Sequence, residues 1–575
     1  MKTPSNLNKL AVAISLLAGS QAAMALTPWH DGAPYITIYT SGASAQDKAV
    51  TNAINTTLAA SGTVDLFEDS VVSQQIQNGT LTNVTTNGGN FTAFYFTGAS
   101  TLADTSLRGQ KILFVKRSLG SSGYGLIPLL DNTSLDNLNI TATASSDWTG
   151  SGTTHLATIN HSTASKYLTQ VPSAGGFLGI DAPADLQSGW NYPTPFAIEP
   201  STNAVISTWG TSYTPASLTS KGITRVPAGG ETYAIGVTTD LYKVLQAAQI
   251  ADGTLTLPTG HTIGSYAADG DLPTLSRNFV GTLLAGKVQD WSHVEVNVTN
   301  TAGGLTTLTA GPTSLYALAA NAGVNAPGNN AIGVGIRNQG STVGTIAWAT
   351  FLGYPYVPNS SAPATPIADD ATAEYNGLPL VKAPVGVSDT ENLLIDWQYG
   401  TNYSGHNNVT ATTAGDNTST YSFEHIWGLA VQTGDRNYNG ALGYRYIKID
   451  GAAPTIANIA NGSYPFWGEG ELLIASGASS SAKLFLTDFA NALASVAVAN
   501  NVDNATGSST LTQPYGPAGI FATSKTAPTA TISIPYSNTN PVVPYTHAAG
   551  AYTSVGVTPY VYDGSGNNNP TIQLK

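Results

Sequence analysis

Residues 331–352, AIGVGIRNQGSTVGTIAWATFL, change their hydrophobic period partway along, and that change constrains the fold more than any other stretch of the chain. Ile332, Val334 and Ile336 alternate as in a strand. The chain then turns through Arg337-Asn338-Gln339-Gly340-Ser341-Thr342. From Thr342 or Val343, the spacing of Ile346, Trp348 and Phe351 predicts a helix. The turn also gathers donors. The first N–H groups of a helix have no intrahelical partner, and the helix dipole adds about half a positive charge there. Arg337 supplies a planar, permanently charged fork that can bond an oxyanion twice, and Ser341 and Thr342 supply hydroxyls. Two readings stay open on these residues: an anion cup, or a capped helix beside a solvated arginine.

The same unit recurs. Residues 34–40 (PYITIYT) alternate as a strand, Ser41-Gly42-Ala43-Ser44 turns, and residues 45–60 read as a helix with Ser44 as its N-cap. Residues 110–115 (QKILFV) read as a buried strand running into KRSLGSSGYG. That turn is either a second donor-rich mouth around Ser118 or a flexible loop with solvated bases. Residues 175–186 read as a strand and an acidic turn, and 232–237, 444–449 and 470–475 as further strands. Helices are expected at 240–250, at 276–284 between a Ser276 cap and Gly286, and at 479–499 with Leu484, Phe485, Phe489, Leu493 and Val496 apolar. Residues 61–100 read as short strands, 131–170 and 355–420 as loop-rich insertions, and the tail from about 500 as irregular strands. Strands alternating with helices predict an α/β fold with largely parallel sheets, which take ligands at the carboxyl ends of their strands. The donor-rich turns all fall at such ends.

Lys2 and Lys9, the apolar run 10–18 and Ala23-Met24-Ala25 have the form of a cleavable secretory signal over residues 1–25. Its apolar run is too short to span a bilayer, and no later run is long enough. The chain has no cysteine, hence no disulfide, no thiolate metal site and no lipid anchor through an N-terminal Cys. Without the two signal lysines, 19 basic residues face 34 acidic ones, a net charge of −15. That balance argues against nucleic acid or an anionic membrane as partner, but a local cup of donors can still hold a small anion. Charged residues make up only 10% of the chain, against about 25% in ordinary soluble domains, so the surface is expected to be polar and mostly uncharged. Residues 435–440 (DRNYNG) resemble half a calcium loop, but Tyr446 stands where the loop needs Glu, and a turn is the better reading. No nucleophile elbow, Walker loop or paired carboxylates can be recognised, so no enzyme activity and no cofactor are expected.

Several segments together resemble the phosphate-specific substrate-binding proteins of bacterial ABC transporters, in the type 2 periplasmic-binding-protein superfamily. Residues 41–45 (SGASA) are similar to that family's opening turn, and 179–183 (GIDAP) to its G-x-S-D-A-P turn. Leu275-Ser276-Arg277 through Gly286-Lys287-Val288-Gln289-Asp290-Trp291 match its L-T-R…G-K-I-x-x-W block, and residues 446–454 with 462–465 match a late K-I-D-G…P-T…G-x-Y-P segment. Arg337, Gly340 and Ser341 agree with its R-x-x-G-S-G-T anion loop. Gln339 stands where that loop has Asp, and Thr342-Val343 where it has Gly-Thr.

The resemblance implies a two-lobed, periplasmic-binding-protein-like (type 2) α/β fold with a β-rich C-terminal extension. Residues 26–231 and 470–575 would form one lobe and 232–469 the other. It implies an exported protein, periplasmic or extracellular, not membrane-spanning, that captures phosphate or a related oxyanion and can serve an ABC-transporter permease. Ala43, Ser44, Ser118, Asp181, Arg337, Gly340, Ser341 and Thr342 would line the site. An Asp181 carboxylate beside an anion repels a dianion but accepts a hydrogen bond from a protonated one, which favours hydrogen phosphate over sulfate. As a plain Asx turn it does neither. The rival to the whole reading is a secreted surface or matrix protein that reuses this fold without a transport role. The chain's length, its charge-poor composition and the departures in the anion loop favour that rival.

Overall fold

The computed structural model describes residues 32–499 apart from several internal stretches, the longest being 353–366 and 368–378, and again residues 520–521. The signal-like segment and nearly all of the expected C-terminal extension lie outside the described residues.

Strict alternation of large apolar side chains builds the first lobe. Strand β1 (Ile36–Gly42) enters α1 (Asp47–Ala53) through a short 3-10 turn, Ser44–Gln46. Strands β2 (Asp65–Gln77) and β3 (Thr80–Thr97) form a long antiparallel pair, and β4 (Lys111–Arg117) returns parallel to β1 with Ile38 opposite Phe114. Along β4, Ile112 and Phe114 enter one core, while Leu113 and Val115 enter another on the opposite face. Strands β5 (Thr149–Ser151) and β6 (Leu156–Asn160) extend the sheet past β2, and β7 (Gly175–Leu178) pairs with β1 on the other side. A single turn, α2 (Ala182–Asp185), follows β7.

Strand β8 (Thr224–Thr238) belongs to two sheets. Residues 224–232 pair with β13 (Trp467–Ile474), and residues 233–237 pair with β11 (Gly428–Thr433). A register shift between Pro227 and Gly230 interrupts the first pairing, with Gly229 at φ 90. Proline has no N–H for the ladder, and a bulge with a left-handed glycine is where a strand absorbs that. Helix α3 (Thr239–Ala251) and helix α4 (Arg277–Leu284) cover the second sheet. Strands β9 (Gly333–Gly335) and β10 (Leu380–Lys382) run parallel to each other and to β11. Helix α5 (Thr342–Ala347) follows β9, α6 (Val387–Tyr399) follows β10, and β12 (Tyr444–Tyr446) pairs with the end of β8. The strand order is β10-β9-β11-β8-β13-β7-β1-β4-β3-β2-β6-β5, with β14 (Ile520–Phe521) also on β8.

The result is a mixed α/β architecture in two lobes. One core gathers Ile235, Val237, Leu241, Trp291, Val334, Ile346 and Trp427. The other sets β1, β4 and β7 against α7 (Ser480–Leu493), with the Phe114 and Phe489 rings stacked 5.0 Å apart. Among the described residues no helix is long and apolar enough to cross a membrane.

Several sequence expectations need correction. The sheet is mixed rather than largely parallel, because β8, β13 and β3 run against their neighbours. The helix expected over 45–60 breaks into the 3-10 turn, α1 and a π turn, Ile54–Leu58, where Thr56 back-bonds to the Asn52 carbonyl and competes with the helical ladder. Ser44 is therefore no N-cap. The stretch 61–100 holds two long strands, not short ones. Within 131–170, Trp148, Ala157 and Ile159 are buried against the sheet, so that stretch is not simply an exposed insertion. Helix α6 lies inside the stretch read as loops, with Leu393, Leu394 and Trp397 wholly buried. Leu484 faces out at 44% exposure, and Val496 lies outside the described residues.

Helix α4 keeps the expected cap: the Ser276 hydroxyl accepts from the Phe279 N–H at 3.1 Å. Ser276→Ala is expected to cost about 1 kcal/mol in urea unfolding. A change below a few tenths would mean that water replaces the cap.

Candidate functional site

The carboxyl ends of β1, β4 and β7 meet the turn after β9. The Thr342 hydroxyl hydrogen-bonds the Ser122 hydroxyl across the seam between the lobes. At Gly340, φ is 78, and a Cβ there would lie 2.3 Å from the Pro193 Cα. A Cβ on Gly123 would come within 3.5 Å of the Gly340 carbonyl. Gly340 is thus the residue that lets the two turns touch.

On the first lobe the expected donors are largely occupied. The Ala43 N–H donates to the Phe177 carbonyl at 2.9 Å, and its own carbonyl accepts from the Lys116 ammonium at 2.9 Å. Ser44 opens the 3-10 turn and caps nothing. The Ser118 hydroxyl stands 2.9 Å from both carboxylate oxygens of Asp47 and accepts from Lys116 at 2.8 Å. Lys116, 1% exposed, also bonds Asp47 at 2.5 Å. Asp47 therefore holds the place on Ser118 that an anion would need, so Ser118 is an internal bond and not a free donor. Asp181 lies outside the described residues.

On the second lobe Arg337 and Ser341 each keep one open donor. Arg337 is 4% exposed. Its Nε and Nη2 donate to the Pro384 and Val385 carbonyls at 3.2 and 2.7 Å, and Nη1 is buried with no hydrogen-bond partner. Burial pulls the guanidinium pKa down to about 10, against the opposing pull of Asp389 and the Tyr233 hydroxyl. The group is still a cation at neutral pH, and among the described residues no carboxylate reaches it within ion-pair distance. Ser341 occupies the N-cap position of α5, yet its hydroxyl makes no cap bond and is buried without a partner.

Three residues at the seam escaped the sequence reading. Asp185, at the end of α2, is fully buried and neither carboxyl oxygen makes a hydrogen bond. Burial pushes its pKa up to about 8, helped by the Glu471 charge. The Thr345 hydroxyl beside it pulls the other way without completing a bond of good geometry. Glu231 on β8 is pushed up to about 7, again by burial first. The Tyr233 hydroxyl sits 2.8 Å from Glu231 Oε2 and 2.8 Å from the Gly179 carbonyl. The hydroxyl has one proton and both neighbours accept, so it donates to Glu231 or to the Gly179 carbonyl and not to both at once. Gly179 must be glycine here: a Cβ would lie 2.6 Å from both Glu231 Oε2 and the Tyr233 hydroxyl. The available signal was an acid inside an apolar strand, as in GGETYAIGV.

The geometry also explains Glu471. It accepts from the Ala182 N–H at 2.9 Å and from Arg225 at 2.7 Å, which ties α2 to both crossing strands. Asp435, from the half calcium loop, pairs with Lys48 at 3.1 Å.

No protein-family model and no curated protein matches the chain. Among solved structures it is similar to a protein from Clostridium perfringens assigned as a phosphate ABC transporter substrate-binding protein, with bound phosphate (9% identity, 79% of this chain and 92% of that one, TM-score 0.32). It is also similar to an ABC-type phosphate transport receptor from Vibrio cholerae (12% identity, 46% and 66%, TM-score 0.22) and to a DING protein (12% identity, 79% and 85%, TM-score 0.31).

Proposed function

We propose that the protein is an exported solute-binding protein that holds phosphate or a related oxyanion between its lobes and performs no chemistry on it. Residues 26–231 and 470–575 form one lobe in this reading and 232–469 the other, with β8 and β13 as the crossing strands. The observation that carries the reading is Arg337: a buried, charged guanidinium with one nitrogen unpartnered, beside the unpartnered Ser341 hydroxyl. A buried guanidinium N–H with no acceptor is costly, and an anion bound at Nη1 removes that cost. The segments similar to the phosphate-specific binding proteins, residues 275–291 and 446–465 above all, support the same reading, and delivery to an ABC permease is the matching role.

Ser118 drops out as a ligand donor and the Thr342 hydroxyl is shared with Ser122, while Ser44, Arg337, Gly340 and Ser341 remain and Asp181 is retained from the sequence motif. The engagement of Ser118 by Asp47 and of Thr342 by Ser122 favours the second reading, a secreted structural protein with a self-satisfied seam.

Thermal unfolding of the chain without residues 1–25 separates the two. Phosphate at 100 times its Kd should add about 2.7 kcal/mol of stability, and Arg337→Ala should lose most of that gain while staying folded. An unchanged gain in the variant moves the site elsewhere. No gain with phosphate, sulfate or phosphonates leaves the structural reading.

A further inference from the structure

The unpartnered polar atoms at the seam are of two kinds. Nη1 of Arg337 and the Ser341 hydroxyl are open donors, while both oxygens of Asp185 and Oε1 of Glu231 are carboxyl oxygens without a partner. All four residues are at most 4% exposed. The two sets share one neighbourhood. The Thr345 N–H donates to the Ser341 carbonyl at 2.9 Å and its hydroxyl stands beside Asp185, while a Cβ at Gly179 would lie 2.6 Å from Glu231 Oε2 and the Tyr233 hydroxyl and 3.0 Å from the Thr342 methyl. A bare oxyanion satisfies the donors and leaves the carboxyl oxygens of Asp185 and Glu231 without a donor of their own.

We propose that the ligand is a small zwitterion, its oxyanion held by Arg337 and Ser341 and its ammonium held by Asp185, with Glu231 as second acceptor. The proposal rests on the oxyanion reading and sharpens it. The skeleton must be short, because the lobes already touch at Thr342 with Ser122 and at Gly340 with Pro193. In the free protein burial keeps Asp185 protonated at neutral pH. As the ammonium docks, the carboxyl O–H bond breaks, its proton passes to solvent, and a charge-assisted N–H···O bond forms. Binding near pH 7 thus releases protons.

Two matched pairs of probes test this: 2-aminoethylphosphonate against ethylphosphonate, and β-alanine against propionate. Each is titrated calorimetrically into the chain without residues 1–25, in two buffers of different ionisation enthalpy. In at least one pair the zwitterion should bind roughly 10- to 100-fold tighter than its partner, with proton release. Asp185→Asn, neutral and of the same shape as the protonated acid, should remove that preference and the proton release. Glu231→Gln should weaken the preference by a smaller factor. Equal or tighter binding of the ammonium-free partners, or a preference that survives Asp185→Asn, overturns the proposal and leaves the oxyanion reading standing. No binding by any probe or by phosphate overturns both.

Discussion

Glu199→Ala is expected to destabilise the protein by about 3–5 kcal/mol, the usual cost of stranding one member of a buried ion pair. Arg117 is fully buried and grips Glu199 with both terminal nitrogens, at 2.7 and 2.5 Å. Its remaining bonds go to the Asp136 and Leu119 carbonyls at 3.0 Å, and its guanidinium lies 5.3 Å from the centre of the Tyr124 ring. Glu199 also accepts from the Asp136 N–H at 2.8 Å. Removing the carboxylate leaves a cation that cannot shed its proton and has no water to turn to. Replacing both residues by leucine removes both desolvation costs and should do less harm than either single truncation. Urea unfolding checks both statements. A loss below about 1 kcal/mol for Glu199→Ala would show that water reaches Arg117. The pair matters beyond stability, since Arg117 leads into the turn that carries Ser122 to the seam.

Stability is also expected to fall as pH rises from about 4 to about 8. Asp185 and Glu231 have folded pKa values raised to about 8 and about 7, so the folded state binds more protons than the unfolded chain across that window. For an acid shifted upward, the contribution is complete below the unfolded pKa, near 4, and is lost progressively as pH climbs to the folded one. The size is on the order of 5 kcal/mol for Asp185 and about half of that for Glu231. The groups facing them set the sign. Burial dominates at both acids, with Thr345 opposing and Glu471 adding at Asp185, and with Tyr233, Gln46 and Lys116 opposing and Asp435 adding at Glu231. Urea unfolding at pH 5 and pH 8.5 should show the loss, and Asp185→Asn should flatten it by raising stability at the alkaline end. The same slope in wild type and variant would mean that Asp185 is ionised throughout.

What the sequence revealed follows from how local each signal is. The period change at residues 331–352 located β9 and the start of α5 at Thr342, because strand and helix periodicity are properties of a short window. The Ser276 cap was readable for the same reason. Helix α6 was not, since Leu393, Leu394 and Trp397 lie downstream of a stretch of prolines and threonines that reads as loop. The long β2–β3 pair is rich in Thr, Asn and Gln, so its alternation is faint on a hydropathy scale. The seam acids were the hardest to foresee. Asp185 is buried only because α2 is pressed against Thr345 on a helix 160 positions away, and nothing in APADL records that. The Asp47 bond that removes Ser118 from the donor set is likewise a meeting of two turns.

The position of β13 sets the order in which the chain can mature. It lies between β8 and β7, and Ala182 meets Glu471 from 289 positions away. While the chain is being made, β7 presents an open edge, and Phe114 and Phe177 face outward until Phe485 and Phe489 arrive. Open edges and bare aromatic faces invite association with other chains. A nascent chain that stops before residue 467 lacks β13, the strand that joins β7 to β8, and the short β14 as well. The sheet can therefore close only once nearly the whole described length has been made, and long-range pairing of this kind is slow.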